Sequence, residues 1–79
     1  MTNFELWVKG CEENGTLIYL LEGKGENALY KLTKEKLVNN NYFYETPVFA
    51  VFVCGKQIYT STSYLSAYQV WKSQMSNSG

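Results

Sequence analysis

Apolar and polar residues alternate in several short segments of this 79-residue chain, and such alternation is typical of β-strands. Segment 3–9 is apolar at every second position, which predicts a first strand. Segment 16–22 is apolar at nearly every position, which predicts a strand in the centre of a sheet. Because Asn14 and Gly15 tolerate the positive φ of a tight turn, we expect these two strands to form an antiparallel hairpin.

The stretch 28–41 allows two interpretations. As one helix from an Asn27 cap, its apolar residues scatter around the whole cylinder instead of forming a stripe. In two parts, residues 28–32 alternate as a short strand, and Thr33 then caps a helix that ends at the asparagines 39–41. We favour the second interpretation and keep the first as the alternative.

The C-terminal half predicts a hairpin followed by a helix. Residues 48–53 form the strongest strand signal in the chain, and residues 58–60 return after a turn at 54–57. The large side chains of the last segment recur at steps of four and three residues: Tyr64, Tyr68, Trp71 and Met75. This spacing predicts a helix that packs one face on the sheet, with Trp71 in the core.

Together these segments predict a single α+β domain over residues 1–79, with residues 76–79 as a frayed tail. We expect a small, mainly antiparallel sheet of four to five strands with one or two helices on one face. The expected order is β-β-β-α-β-β-α, or ββαββα if residues 28–41 form one helix.

The charged groups of the chain argue against enzymatic chemistry. The sequence contains seven Lys and seven Glu, but no Arg, Asp or His. General acid–base catalysis depends on His and on carboxylates, and bidentate phosphate binding depends on the guanidinium group of Arg. Two cysteines without a His supply at most half of a tetrahedral zinc site. We therefore expect a protein that is not an enzyme and has no metal and no cofactor.

The net charge is zero and no block of like charges occurs, so nothing directs the chain toward a membrane or toward nucleic acid. Residues 1–5 lack the basic and apolar parts of a secretory signal, so we expect a cytoplasmic protein. Cys11 and Cys54 should be reduced thiols there, although the sequence leaves open whether they lie close enough for a disulfide.

Thirteen aromatic residues are more than so small a core needs, so we expect several at the surface, where Tyr and Trp anchor protein interfaces. The candidate partner-binding residues are Trp7 and Tyr19 on the first hairpin, and Tyr42 and Tyr44 in the connection before Pro47. We prefer Tyr42 and Tyr44, because the polar residues 39–41 before them suggest an exposed loop. The alternative is that one of this pair packs under the neighbouring helix.

A single-stranded nucleic-acid-binding protein is the alternative function, since aromatic side chains on a sheet can stack on bases. The residues that could form such a platform are Trp7, Tyr19, Phe49 and Tyr59 with Lys9, Lys31 and Lys56. Phosphate contacts dominate nucleic-acid affinity, and zero net charge without Arg leaves little for them. Nucleic acid is therefore a less favoured partner than protein.

The small size, the Asn-rich and Pro-poor composition, and the expected sheet with one or two helices are similar in character to small phage-encoded inhibitors. These include anti-CRISPR and other anti-defence proteins. The resemblance is one of type and involves no motif and no particular residue. It implies an inhibitor that occludes a host protein or protein complex through a few aromatic anchors. A homodimer that forms through an uncovered sheet face is an equally open expectation.

Overall fold

The computed structural model describes residues 2–77 and consists of five strands and two helices. In chain order these are α1 (Asn3–Glu13), β1 (Thr16–Lys24), β2 (Asn27–Val38), β3 (Asn41–Tyr44), β4 (Val48–Val53), β5 (Lys56–Ser61) and α2 (Tyr64–Asn77). The strands form one antiparallel sheet in the order β1-β2-β4-β5, and β3 also pairs with β2. The predicted α+β class and the antiparallel sheet of four to five strands are confirmed.

The central strands β2 and β4 are buried on both faces, because successive residues of a strand point to opposite sides. On one side, the α1 face, the cluster consists of Ala28, Tyr30, Ala50 and Phe52 with Phe4 and Trp7 of α1. On the other side, the α2 face, it consists of Leu29, Phe49 and Val51 with Ala67 and Trp71 of α2. The two helices thus cover opposite faces of the sheet, whereas the sequence predicts both on one face.

The N-terminal segment is a helix, so the strand predicted over residues 3–9 is wrong. The Thr2 hydroxyl accepts a hydrogen bond of 3.1 Å from the Glu5 backbone N–H, which caps the first turn. Phe4 and Trp7 then lie on the same side of the helix and pack on the α1 face. Consequently β1 pairs with β2 and lies at the edge of the sheet, not in its centre.

The second half of the 28–41 stretch is also extended, so the predicted helix beginning at Thr33 is wrong, as is a single helix over 28–41. The predicted strand over 28–32 is correct, and it continues to Val38 without a break. Asn39 and Asn40 then form the turn with φ values of 51° and 65°, the left-handed conformation that a two-residue hairpin turn requires.

The C-terminal elements agree with their predictions. Strands β4 and β5 form the expected hairpin, and α2 packs on the sheet with Trp71 buried. Helix α2 continues to Asn77 and therefore includes Ser76. Ser78 and Gly79, the rest of that predicted tail, lie outside the described residues.

Trp71 fixes α2 closely against β1. A Cβ atom at Gly23 would lie 2.5 Å from Cη2 of the Trp71 ring, and Gly23 has a φ of +75°. Both facts require glycine at this position, since a larger residue would collide with the ring and strain the backbone. The indole ring of Trp71 therefore occupies the space in which a side chain at position 23 would lie.

We predict that Trp71→Ala destabilises the protein by about 3–5 kcal/mol, because it removes a large side chain from the buried contact between α2 and the sheet. Denaturant unfolding followed by circular dichroism measures this change. Leu65→Ala is the control on the same helix, since Leu65 is exposed and should change the free energy of unfolding by less than about 0.5 kcal/mol. Equal unfolding midpoints for the two variants would contradict the assignment of Trp71 to the core.

Candidate protein-binding surface

Strand β2 extends beyond the strands beside it. Strand β1 pairs with β2 no further than Lys34, and β4 begins opposite Leu32. Within the described residues, positions 35–38 of β2 therefore pair with β3 alone. We call this two-stranded hairpin of residues 35–44 the arm.

The dimensions of the molecule reflect the projecting arm. Its principal extents are 49 × 31 × 15 Å, and its radius of gyration is 13.6 Å. A compact domain of this length has a radius of gyration of about 12 Å. The chain is therefore longer and thinner than a globular domain of the same size.

The arm carries large apolar side chains that neither helix covers. Tyr42, Phe43 and Tyr44 are 70%, 55% and 63% exposed, and Leu37 and Val38 are exposed as well. The pairing register and the alternation of strand side chains place Leu37, Tyr42 and Tyr44 on the α2 face. Val38 and Phe43 lie on the α1 face. The arm thus carries exposed apolar side chains on both of its faces.

A groove lies at the base of the arm, where the arm meets the main sheet. It has a volume of about 300 Å³ and is lined by Tyr19, Lys31, Thr33, Tyr44, Glu45 and Pro47. The Lys31 ammonium lies 5.9 Å from the centre of the Tyr19 ring, within the range of a cation–π interaction. The Thr33 hydroxyl donates a hydrogen bond of 3.4 Å to the Glu45 carbonyl oxygen. These contacts hold the walls of the groove together.

Tyr44 interacts with the residue directly opposite it on β2, which is Glu35. Hydrogen bonding to the Glu35 carboxylate, together with the negative charge of that carboxylate, raises the pKa of the Tyr44 phenol above its usual value of 10.0. The phenol is therefore protonated at neutral pH and donates to the carboxylate. Both side chains lie on the α2 face of the arm.

Three of the four predicted partner-binding residues lie on one surface. Tyr42 and Tyr44 project from the arm, and Tyr19 lines the same groove as Tyr44. They stand on strands, although the sequence predicts a loop for Tyr42 and Tyr44. Trp7 lies apart from them on α1, with its ring centre 4.3 Å from that of Phe52 on the opposite face of the sheet. Trp7 therefore belongs to the core packing.

Sequence reasoning missed the apolar residues that complete the arm, namely Leu37, Val38 and Phe43. The signal was available, because two-residue turns of Asn join hairpin strands. With the turn at Asn39 and Asn40, the flanking residues pair as two short strands and place Leu37 opposite Tyr42.

The aromatic platform of the nucleic-acid alternative does not assemble. Phe49 is buried, with its ring centre 5.5 Å from that of Tyr64, and Tyr59 is half-buried against the same cluster. Trp7 lies on the other face of the sheet. Tyr19 alone among the four proposed residues is broadly exposed, so they offer no continuous stacking surface.

The two cysteines are free thiols, so no disulfide joins them. Burial raises the pKa of the Cys11 thiol, which lowers its thiolate fraction at neutral pH. Cys54 lies in the turn between β4 and β5, where its backbone N–H donates to the Asn27 side chain at 2.9 Å.

Comparisons with protein-family models, with curated proteins and with solved structures find no match to this chain. Neither helix within residues 2–77 is both long enough and apolar enough to cross a membrane. The arm and the groove at its base are the features of the structure from which a function can be inferred.

We predict that Glu35→Gln lowers the pKa of Tyr44 toward 10, because a neutral amide no longer repels the phenolate. An alkaline titration followed by tyrosine absorbance measures the change, and the same titration of Tyr44→Phe identifies the contribution of Tyr44. Glu22→Gln removes a carboxylate from β1 and serves as the control. An unchanged titration midpoint of Tyr44 in the Glu35→Gln variant would contradict the contact between the two side chains.

Proposed function

We propose that this chain is a non-enzymatic protein-binding module that contacts its partner through the arm. The supporting observation is the exposure of Tyr42 and Tyr44 on one face of an ordered hairpin. Tyrosine combines a large contact area with few rotatable bonds, so it loses little side-chain entropy when a partner covers it. Tyr19 on the same face extends this contact surface toward the groove, and Leu37 extends it toward the tip of the arm.

The arm is not needed to cover either hydrophobic cluster, since neither cluster includes a residue from 35–44. Its apolar side chains therefore add little to the stability of the free chain. A monomer that exposes a contiguous apolar surface of this kind usually uses it to bind another molecule. Folding of the free chain does not bury these side chains. Binding to a partner that buries them would therefore be stabilised by the hydrophobic effect.

The shape of the arm suits insertion into a cleft. Two paired strands are about 5 Å apart, and both faces carry apolar groups, so a partner can contact the arm from two sides. Insertion of this kind would block the cleft, which is inhibition by occlusion. The proposal includes that the chain is a phage-type inhibitor of a host defence protein in the cytoplasm. The size and composition of the chain support this part of the proposal.

We predict that the double substitution Tyr42→Ala and Tyr44→Ala weakens partner binding at least about 100-fold, since central aromatic anchors contribute about 2 kcal/mol or more each. The free energy of unfolding should change by less than about 1 kcal/mol, because both side chains are exposed. Leu65→Ala is the control, since Leu65 is as exposed as Tyr44 but lies on α2, outside the arm.

The experiment captures partners from a lysate of the cells in which the protein acts, with the wild-type chain and both variants as bait. A protein retained by the wild type and by Leu65→Ala, but lost with the double variant, supports the proposal. A partner that all three baits retain equally contradicts the arm as the contact surface. If the wash contains no nuclease and nucleic acid is retained together with the wild-type bait, that result would favour the alternative function.

We also predict that the affinity for the natural partner falls less than about tenfold between 50 and 200 mM salt. The contact surface is mainly aromatic and aliphatic, and the chain carries no net charge. A protein that contacts six or more phosphates loses about 10³-fold or more over this range. A loss of that size, measured by calorimetry at several salt concentrations, would contradict a protein partner bound through the arm.

A further inference from the structure

The outer edge of β3 carries backbone groups that point away from the sheet. The Glu45 N–H donates a hydrogen bond of 2.9 Å to the Lys34 carbonyl at the base of the arm. Hydrogen-bonded pairs recur at every second position of an antiparallel ladder, so Phe43 bonds to Lys36. The N–H and C=O groups of Tyr42 and Tyr44 therefore face outward.

This edge lacks the features that usually protect an edge strand. Charged residues, proline and bulges all hinder the pairing of an exposed edge with another chain. The sequence of β3 is Asn-Tyr-Phe-Tyr, and its pairing with β2 is regular. The other edges differ, because β1 and β5 contain charged residues and an irregular register, and the outer edge of β2 in the arm contains Glu35 and Lys36. The outer edge of β3 is thus open to strand addition.

We propose that β3 pairs with β3 of a second copy of this chain, antiparallel and about a twofold axis at Phe43. In this register Phe43 lies opposite Phe43 of the second copy, and Tyr42 lies opposite Tyr44. The outward N–H and C=O groups of both tyrosines then form hydrogen bonds across the new interface. Every outward backbone group of Tyr42 and Tyr44 in both copies has a partner.

The neighbouring register satisfies fewer groups. If Tyr42 lay opposite Tyr42 of the second copy, Tyr44 would lie opposite Asn40, which belongs to the turn and has a φ of 65°. A turn residue in this conformation does not continue the ladder, so the backbone groups of Tyr44 would stay unpaired. In the register with Tyr44 opposite Tyr44, Tyr42 would lie opposite Thr46, which is outside β3, so the Phe43-centred register is the one that uses the whole strand.

The edge fits a copy of itself because its chemistry is self-complementary. Aromatic residues lie opposite aromatic residues on both faces, which stabilises antiparallel strands, and no like charges meet. The chain as a whole has no net charge, so two copies approach without long-range repulsion. Two strands alone are marginally stable, and pairing would give a four-stranded arm.

This dimer does not depend on the proposed function, because it uses the backbone of β3 and not the outer faces of the tyrosine rings. The twofold axis keeps the α2 faces of both arms on the same side of the new sheet. Tyr42 and Tyr44 of the two copies then lie next to one another. The dimer thus presents about twice the tyrosine surface of one chain.

The test is sedimentation equilibrium on the purified protein over a range of concentrations. The wild-type mass should rise from 9.1 kDa toward twice that value as the concentration increases. Phe43→Lys and Phe43→Glu, each alone, should raise the dissociation constant at least about tenfold, since like charges meet at the axis. An equal mixture of the two variants should dimerise again. A wild-type chain that stays at 9.1 kDa at all concentrations, or a mixture without recovery, overturns the proposal.

A second measurement reads the register directly in a chain in which Cys11 and Cys54 are replaced by Ser. Phe43→Cys should form a disulfide between copies, because Cα atoms at the axis would be about 4.5 Å apart. Tyr42→Cys is the matched control, since its two copies would be roughly 8 Å apart, too far for a disulfide. Cross-linking of Tyr42→Cys at the same rate as Phe43→Cys overturns the proposed register.

Discussion

The structure depends on the double role of β2. One part of this strand is buried on both faces of the sheet, and the other part is exposed on both faces. Ala28, Leu29 and Tyr30 are at most 8% exposed and connect both hydrophobic clusters. A strand of 12 residues is about 40 Å long, whereas helices of 11 and 14 residues are about 16 and 21 Å long. Neither helix can therefore cover the whole strand, and the uncovered end becomes the arm.

This mismatch separates the residues that stabilise the fold from those available for binding. The clusters are built from residues of the central strands and both helices, and their large buried members are Tyr30, Phe49, Phe52 and Trp71. The arm adds aromatic side chains that no cluster uses. One short strand then offers two different contact types, since the side chains of Tyr42 and Tyr44 are exposed on the α2 face while their outward backbone groups lie along the open edge of β3.

The elements whose local pattern fits one structure could be predicted from the sequence, and the segments whose pattern fits two structures could not. The apolar run of β4 and the spacing of Tyr64, Tyr68 and Trp71 each fit one structure. Segment 3–9 fits both a strand and a helix, and the Thr2-x-x-Glu5 capping pattern decides for the helix. Residues 33–38 are extended because Thr33 and Lys34 pair with β1 and residues 35–38 pair with β3, and such pairing overrides local preference. The exposed tyrosines were predicted, but the hairpin that holds them was not.

The central claim is that the arm contributes to binding and not to the core. The most direct measurement is the free energy of unfolding of a shortened chain in which residues 35–44 are replaced by Asn-Gly. Lys34 and Glu45 already form a hydrogen-bonded pair, so a two-residue turn can join them. We expect the free energy of unfolding to stay within about 1 kcal/mol of the wild-type value, since substitutions away from the core have small effects. A shortened chain that is unfolded, or less stable by about 3 kcal/mol or more, as after loss of a core side chain, would contradict the account.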